Sequence, residues 1–190
     1  MSPIPILLVM LAALFSVLLI LFLIGISIYN GLVSGRQSVR NGWAQIDVQL
    51  KRRHDLIPNL VNTVKGYATH EKETLENVVG ARARAASAGS PAEAIQAEGV
   101  LTQALGRLIA VSESYPELKA NANFLQLQGE LASTEDRIAF SRQAYNDAAT
   151  RYNTSTEVFP NVLFAGLLGF KSEPLFEAAA SEKEAPQVRF

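Results

Sequence analysis

From Ile4 to Ile28 the sequence is almost wholly aliphatic, and the first charged side chain anywhere along it is Arg36. This run constrains the fold more than any other feature. As a helix rising 1.5 Å per residue it covers about 37 Å, enough to cross a hydrocarbon core of roughly 30 Å. Pro3 and Pro5 suit a first helical turn, where a missing N–H costs little. Tyr29 and Asn30 stand where the apolar run gives out, as an interfacial anchor does. We therefore expect a membrane anchor over residues 1–28, with Ile4, Leu8, Leu11, Phe15, Leu18, Phe22 and Ile26 as anchor residues and Tyr29 just past them. A cleaved signal peptide wants a basic leading region and a shorter apolar stretch; neither is present, so a retained single-pass anchor is expected. Arg36 and Arg40 follow the run and no basic side chain precedes it, which places the N-terminus outside and the body in the cytoplasm.

Elsewhere the charges nearly cancel, with 17 Lys and Arg against 18 Asp and Glu. That balance gives no bulk electrostatic case for nucleic acid. With no cysteine, disulfides, thiolate zinc sites and lipid-modified cysteines are excluded.

Beyond the anchor, apolar residues recur in alternating steps of four and three. Val39, Trp43, Ile46, Leu50, Arg53, Ile57, Leu60 and Val64 form one seam in which Arg53 is the only charge. Such spacing turns a narrow stripe toward a partner helix. Gly66–Thr69 is a break, with Thr69 expected to cap a second helix carrying Leu75, Val78, Val79 and Arg82. Ser90 before Pro91 opens a third helix with Ile95, Leu101, Leu105, Leu108 and Ser112. A fourth keeps the alternation longest, through Phe124, Leu127, Leu131, Thr134, Ile138, Ser141, Tyr145, Ala148, Tyr152, Ser155 and Phe159, and Pro160 ends it. The fold expected is all-α: a transmembrane helix continuing into an antiparallel, up-down-up-down bundle of four helices over residues 29–176. The tail, 177–190, is Ala-rich and then charged, with a disordered composition.

The strings YNGLVSGRQSVRNGWAQIDVQLKRRHDLIPNLVNTVKGYATHEKETLENVVGAR, YPELKANANFLQLQGELASTEDRIAFSRQAYNDAATRYN and FPNVLFAGLLGF together resemble the LemA family, over almost everything from Tyr29 to Phe176. The resemblance implies an N-terminal membrane anchor followed by long antiparallel helices. It brings no catalytic residue and no cofactor. Gly42 stands where family members often have alanine before the tryptophan, which implies a slightly looser helix there.

The stretch KRRHDLIPNL (51–60) gathers cations, an imidazole and a carboxylate around a proline. Pro58 cannot donate to the carbonyl of His54, so a kink is expected. Arg53 on the seam wants a carboxylate opposite, and Glu135 and Asp136 beside Thr134 offer one. Lys51, Arg52 and His54 are expected to point outward. His54 and His70 are the only histidines, and HEKET lacks the closing histidine of a zinc-protease helix, so no metal site is expected. No serine has a histidine near it in a local motif, and no glycine-rich loop follows a strand.

What remains is surface. Ser27, Gly31 and Gly35 lie four apart where the anchor ends, and either let two copies approach closely or merely loosen the helix. The apolar stretch 159–170, with Phe164, Leu167, Leu168 and Phe170, is expected either at the bilayer surface, against the bundle base, or on a second copy. The final QVRF sets Val188 and Phe190 on alternate sides of an extended end that a strand-adding domain can read. These features point to a membrane-anchored, self-associating scaffold without catalytic activity, contacting lipid and no nucleic acid. The alternative is an adaptor that recruits another protein, such as a protease or kinase, through bundle faces or the C-terminal tail.

Overall fold

The computed structural model describes residues 3–176, with side chains from Leu7 onward. The side chain of Ile4 and the tail 177–190, with Val188 and Phe190, lie outside the described residues. Six helices and no strand occur among those described: α1 (Pro3–Lys65), α2 (Lys72–Ala86), α3 (Pro91–Ser112), α4 (Pro116–Lys119), α5 (Ala122–Glu157) and α6 (Asn161–Leu168). The sequence pattern resolves the four longer ones; α4 and α6 are short additions that it does not separate from their neighbours.

The described residues form two compact units, and α1 and α5 each contribute to both. The first unit holds residues 3–40 and 147–173. In it, α1 and the end of α5 run antiparallel at close range. A Cβ placed on Gly35 would lie 3.2 Å from a ring carbon of Tyr152. One on Gly25 would lie 3.4 Å from the Phe164 ring on α6. Tyr152 is buried, and its hydroxyl finds no hydrogen-bond partner. Its pKa lies above the ordinary tyrosine value because burial disfavours the phenolate; Arg36 pulls it down, Glu173 pushes it up and Arg40 pulls it down.

The second unit, residues 41–146 and 174–176, is a bundle of the remainder of α1, the α2–α3 hairpin, α4 and the first part of α5. Its core joins Ile57, Leu60 and Val64 of α1 to Leu75 and Val78 of α2, Leu101, Leu105 and Leu108 of α3, Leu118 of α4 and Phe124 of α5, with Leu127 and Leu131 half-buried against it. This is the stripe that a four–three alternation is built to bury. Ser90 accepts a hydrogen bond from the Glu93 backbone at 3.3 Å, satisfying one orphan donor of α3, and the Glu93 carboxylate accepts another from Gly89 N, just ahead of the cap, at 2.9 Å. Asn121 caps α5 in the same manner, its Oδ1 accepting from Phe124 N at 3.0 Å.

Three expectations need correction. Thr69 does not cap α2: that helix starts at Lys72, its N-cap is Glu71, and no side chain caps it. The chain leaves α1 in tight turns in which Tyr67 N and Ala68 N both bond Val64 O, so the helix begins later than Thr69 would set it. Val79 is half exposed rather than on the α2 seam, because the buried stripe runs through Leu75, Val78, Ala81 and Ala85. Phe159 does not extend the α5 seam. The helix ends at Glu157, Thr156 takes the last buried position, and Phe159 is 80% exposed.

Gly42 is buried, and a Cβ there would approach the Tyr145 backbone to 3.2 Å. A backbone atom cannot step aside as a flexible side chain can. Gly42→Leu should therefore cost about 1–3 kcal/mol by forcing α1 and α5 apart. Urea unfolding followed by circular dichroism checks this, and an unchanged midpoint would show that the helices do not meet there.

Candidate functional site

The polar groups of the bundle converge on Arg53, His54 and Glu98. Arg53 reaches the α1 seam by periodicity and is almost fully buried. Its guanidinium donates to Glu98 Oε2 at 3.1 Å and to Thr102 Oγ1 at 2.9 Å, both on α3. It also lies 3.3 Å from Glu135 Oε2 on α5. Glu98 is only 1% exposed, and its other oxygen accepts from His54 Nε2 at 2.6 Å. One glutamate thus answers two neighbouring residues of α1. Removing one partner of such a buried pair typically costs about 3–5 kcal/mol, because a charge is left unanswered in a dry interior.

Pro58 creates a second obligation. α1 runs through it without interruption, yet proline has no N–H for the carbonyl four residues back. That carbonyl belongs to His54, and Arg82 Nε on α2 donates to it at 2.7 Å. The defect in one helix is therefore met by a side chain of another. Beside this cluster runs a groove of about 340 Å³, whose lining includes Asp47, Lys51, His54, Asp55 and Arg82. Charges of both signs face it. Among the described residues no three His, Asp or Glu side chains converge as metal ligands would.

A short extended segment closes the bundle. Asn146 binds the backbone of Phe176 twice: its Nδ2 donates to the carbonyl at 2.9 Å and its Oδ1 accepts from the amide at 2.9 Å. Tyr145 donates its hydroxyl proton to Pro174 O at 2.7 Å. The Phe176 ring stacks on half-buried Trp43 at 5.9 Å, meets Tyr145 edge-on at 5.7 Å and lies 5.0 Å from the Arg142 guanidinium. In the first unit Asn153 grips Glu173 by the same paired bonds, at 2.9 and 2.8 Å. The two asparagines are one heptad apart on α5.

A family model described as "LemA family" matches residues 42–190, more than three quarters of the chain. The chain belongs to the LemA family. Similar curated proteins include Magnetosome protein MamQ 2 and Magnetosome protein MamQ 1 of Paramagnetospirillum magneticum, each 27% identical over 175 residues. Protein LemA of Metamycoplasma hominis is 25% identical over 155 residues, which cover 81% of this chain and 71% of that one. The matches to the MamQ proteins cover 78% of this chain but only 64% of theirs, so it spans less than two thirds of their length.

Within this LemA-family chain, the seam residues Val39, Ile46, Leu50, Ile57, Phe124, Ile138, Tyr145 and Tyr152 are buried. His54 does not point outward: it is buried against the Glu98 carboxylate that α3 brings to within 2.6 Å of its ring, a packing that the α1 sequence by itself does not reveal. Glu98 escaped the sequence reading although its signal was present. Ala94, Glu98, Leu101, Leu105, Leu108 and Ser112 are the buried four–three series of α3, and Ile95 is only half-buried. A cation on one seam and an anion on another announce each other once both registers are right. Asp136 stays exposed.

Of the small residues at the end of the apolar run, Ser27 and Gly31 are exposed and a Cβ on Gly31 meets nothing within 4 Å, whereas Gly35 is occupied by Tyr152 of the same chain. Leu8, Leu11, Phe15, Leu18, Phe22, Ile26 and Tyr29 are all exposed, and an 18-residue window of this helix, apolar enough to cross a membrane, has none of its residues buried. Phe164 and Phe170 pack on α1, at Gly25 and Tyr29, while Leu167 and Leu168 remain exposed.

The Pro58–Arg82 arrangement yields a thermodynamic cycle. Arg82→Met orphans the His54 carbonyl and should cost about 1–3 kcal/mol. In a Pro58→Ala background the backbone N–H restored at position 58 satisfies that carbonyl, so the same substitution should cost clearly less. Equal costs in both backgrounds, measured by urea unfolding, would show that Arg82 does not serve this carbonyl.

Proposed function

We propose that the protein is a membrane-anchored helical scaffold that associates with further copies of itself and has no catalytic activity of its own. Self-association rests on the Ser27–Gly31 face. Gly25, Gly35 and Gly42 are each approached closely by an aromatic residue of the same chain, whereas the face at Gly31 is open and directly follows the most apolar part of α1. Small residues at a membrane exit let a second helix approach to backbone distance, where dispersion replaces the missing hydrophobic drive. The absence of catalysis is supported by the commitment of Arg53, His54 and Glu98 to one another. Arg36 and Arg40 favour a single span with the bundle in the cytoplasm.

An adaptor reading draws on a different feature. Val61, Leu75 and Val79 line a groove of about 590 Å³ between α1 and α2, rimmed by Lys65, Lys72 and Glu76. Such an apolar floor with a charged rim suits a partner segment. The C-terminal route of that reading falls on residues outside those described.

Sizing by light scattering in mild detergent separates the first reading from its failure. Several chains per particle are expected, and Gly31→Leu should shift the population toward single chains. A wild-type protein that is monomeric at membrane-like protein-to-detergent ratios would overturn self-association.

A further inference from the structure

α6 carries apolar side chains that its own chain leaves uncovered, and the residues that hold it set its depth. Phe164 rests on Gly25, and Phe170 meets the Tyr29 ring edge-on at 6.0 Å, so α6 is fixed beside the stretch where the apolar run of α1 ends. Ala165 and Phe170 are buried by this packing. On the other side Leu163 is 63% exposed and Leu167 84% exposed, with Val162 and Leu168 also open and Phe159 beside them. An eight-residue helix is too short to span a bilayer, and this one has no charged residue. Cations flank it instead. Arg36 stands over the Phe170 ring at 4.8 Å, and Lys171 follows exposed.

We propose that α6 is a second membrane contact, embedded at the boundary between acyl chains and headgroups in the leaflet where α1 emerges, with Arg36 and Lys171 at headgroup level. Its exposed Leu163 and Leu167 belong to a helix packed at Gly25 and Tyr29, next to the exposed apolar stretch of α1 that includes Leu18 and Phe22. Tyr29 and the cations match what that interface favours: amphipathic rings and basic side chains. A helix held this way fixes the rotation of α1 about its axis, which a lone span leaves free. This inference rests on the anchoring part of the proposed function and is separate from self-association.

The chain contains no cysteine, so single labelling sites can be introduced without background. Full-length variants Leu163→Cys and Leu167→Cys, each carrying an environment-sensitive fluorophore, are reconstituted into vesicles of phosphatidylcholine and phosphatidylglycerol in equal parts. Leu18→Cys serves as the in-membrane reference, and Phe140→Cys, 76% exposed on the bundle, as the aqueous one. Lipids spin-labelled near the headgroup should quench positions 163 and 167 severalfold more than position 140, lipids spin-labelled deep in the acyl chain should quench position 18, and aqueous iodide should quench all three severalfold less than position 140. If 163 and 167 respond to iodide as 140 does, α6 lies in water and the inference fails. Protection from both quenchers would mean that protein covers them, which also overturns it. Failure at 163 and 167 with position 18 still quenched by lipid removes only this inference; failure at position 18 removes the anchor as well.

Discussion

The first third of α1 exposes an apolar surface that none of the other described residues covers. Water is a poor solvent for it: each fully exposed Leu, Ile or Phe forgoes about 1.5–3 kcal/mol of burial. A chain with this surface must be covered by lipid, detergent or other copies of itself, and the remaining features gain their meaning from that requirement. Glycines in α1 admit the aromatic rings of α5 and α6 closely. Where the apolar run ends, Tyr29 meets the Phe170 ring edge-on and Arg36 stands over that ring, residue types that a membrane interface favours.

The bundle is organised around an opposite demand, the burial of charge. Arg53 and Glu98 cannot leave their seams without disturbing the four–three register, and each answers the other, with Thr102 and Glu135 also on Arg53 and His54 also on Glu98. Such pairs add little net stability compared with apolar residues, since desolvation offsets most of the attraction. Their effect is discrimination: slippage by one turn of α1 against α3 strands two charges. Arg82 acts similarly at Pro58, since only the observed pairing of α2 with α1 supplies a donor to the His54 carbonyl.

Long-range periodicity makes the helices and most of the core legible, because burial of one stripe is a strong and repetitive signal. Tyr145, Tyr152, Ile46 and Ile138 can be placed inside on spacing alone. Boundaries and partners are less legible. Thr69 resembles a cap in sequence, but cap geometry depends on how the chain leaves α1. His54 reads as exposed because a single helix does not reveal what α3 sets against it. Glu98 is hidden by its neighbour, since Ile95 masks the true register of α3. The asparagine clasps at 146 and 153 give no signal that distinguishes them from surface polar residues, since their partners are backbone groups twenty to thirty residues away.

Stable attachment through α1 is read out by alkaline carbonate extraction of membranes that contain the full-length protein. An integral span predicts that the protein stays with the lipid pellet while peripheral proteins are released. Recovery of the intact, folded chain in the supernatant would contradict it.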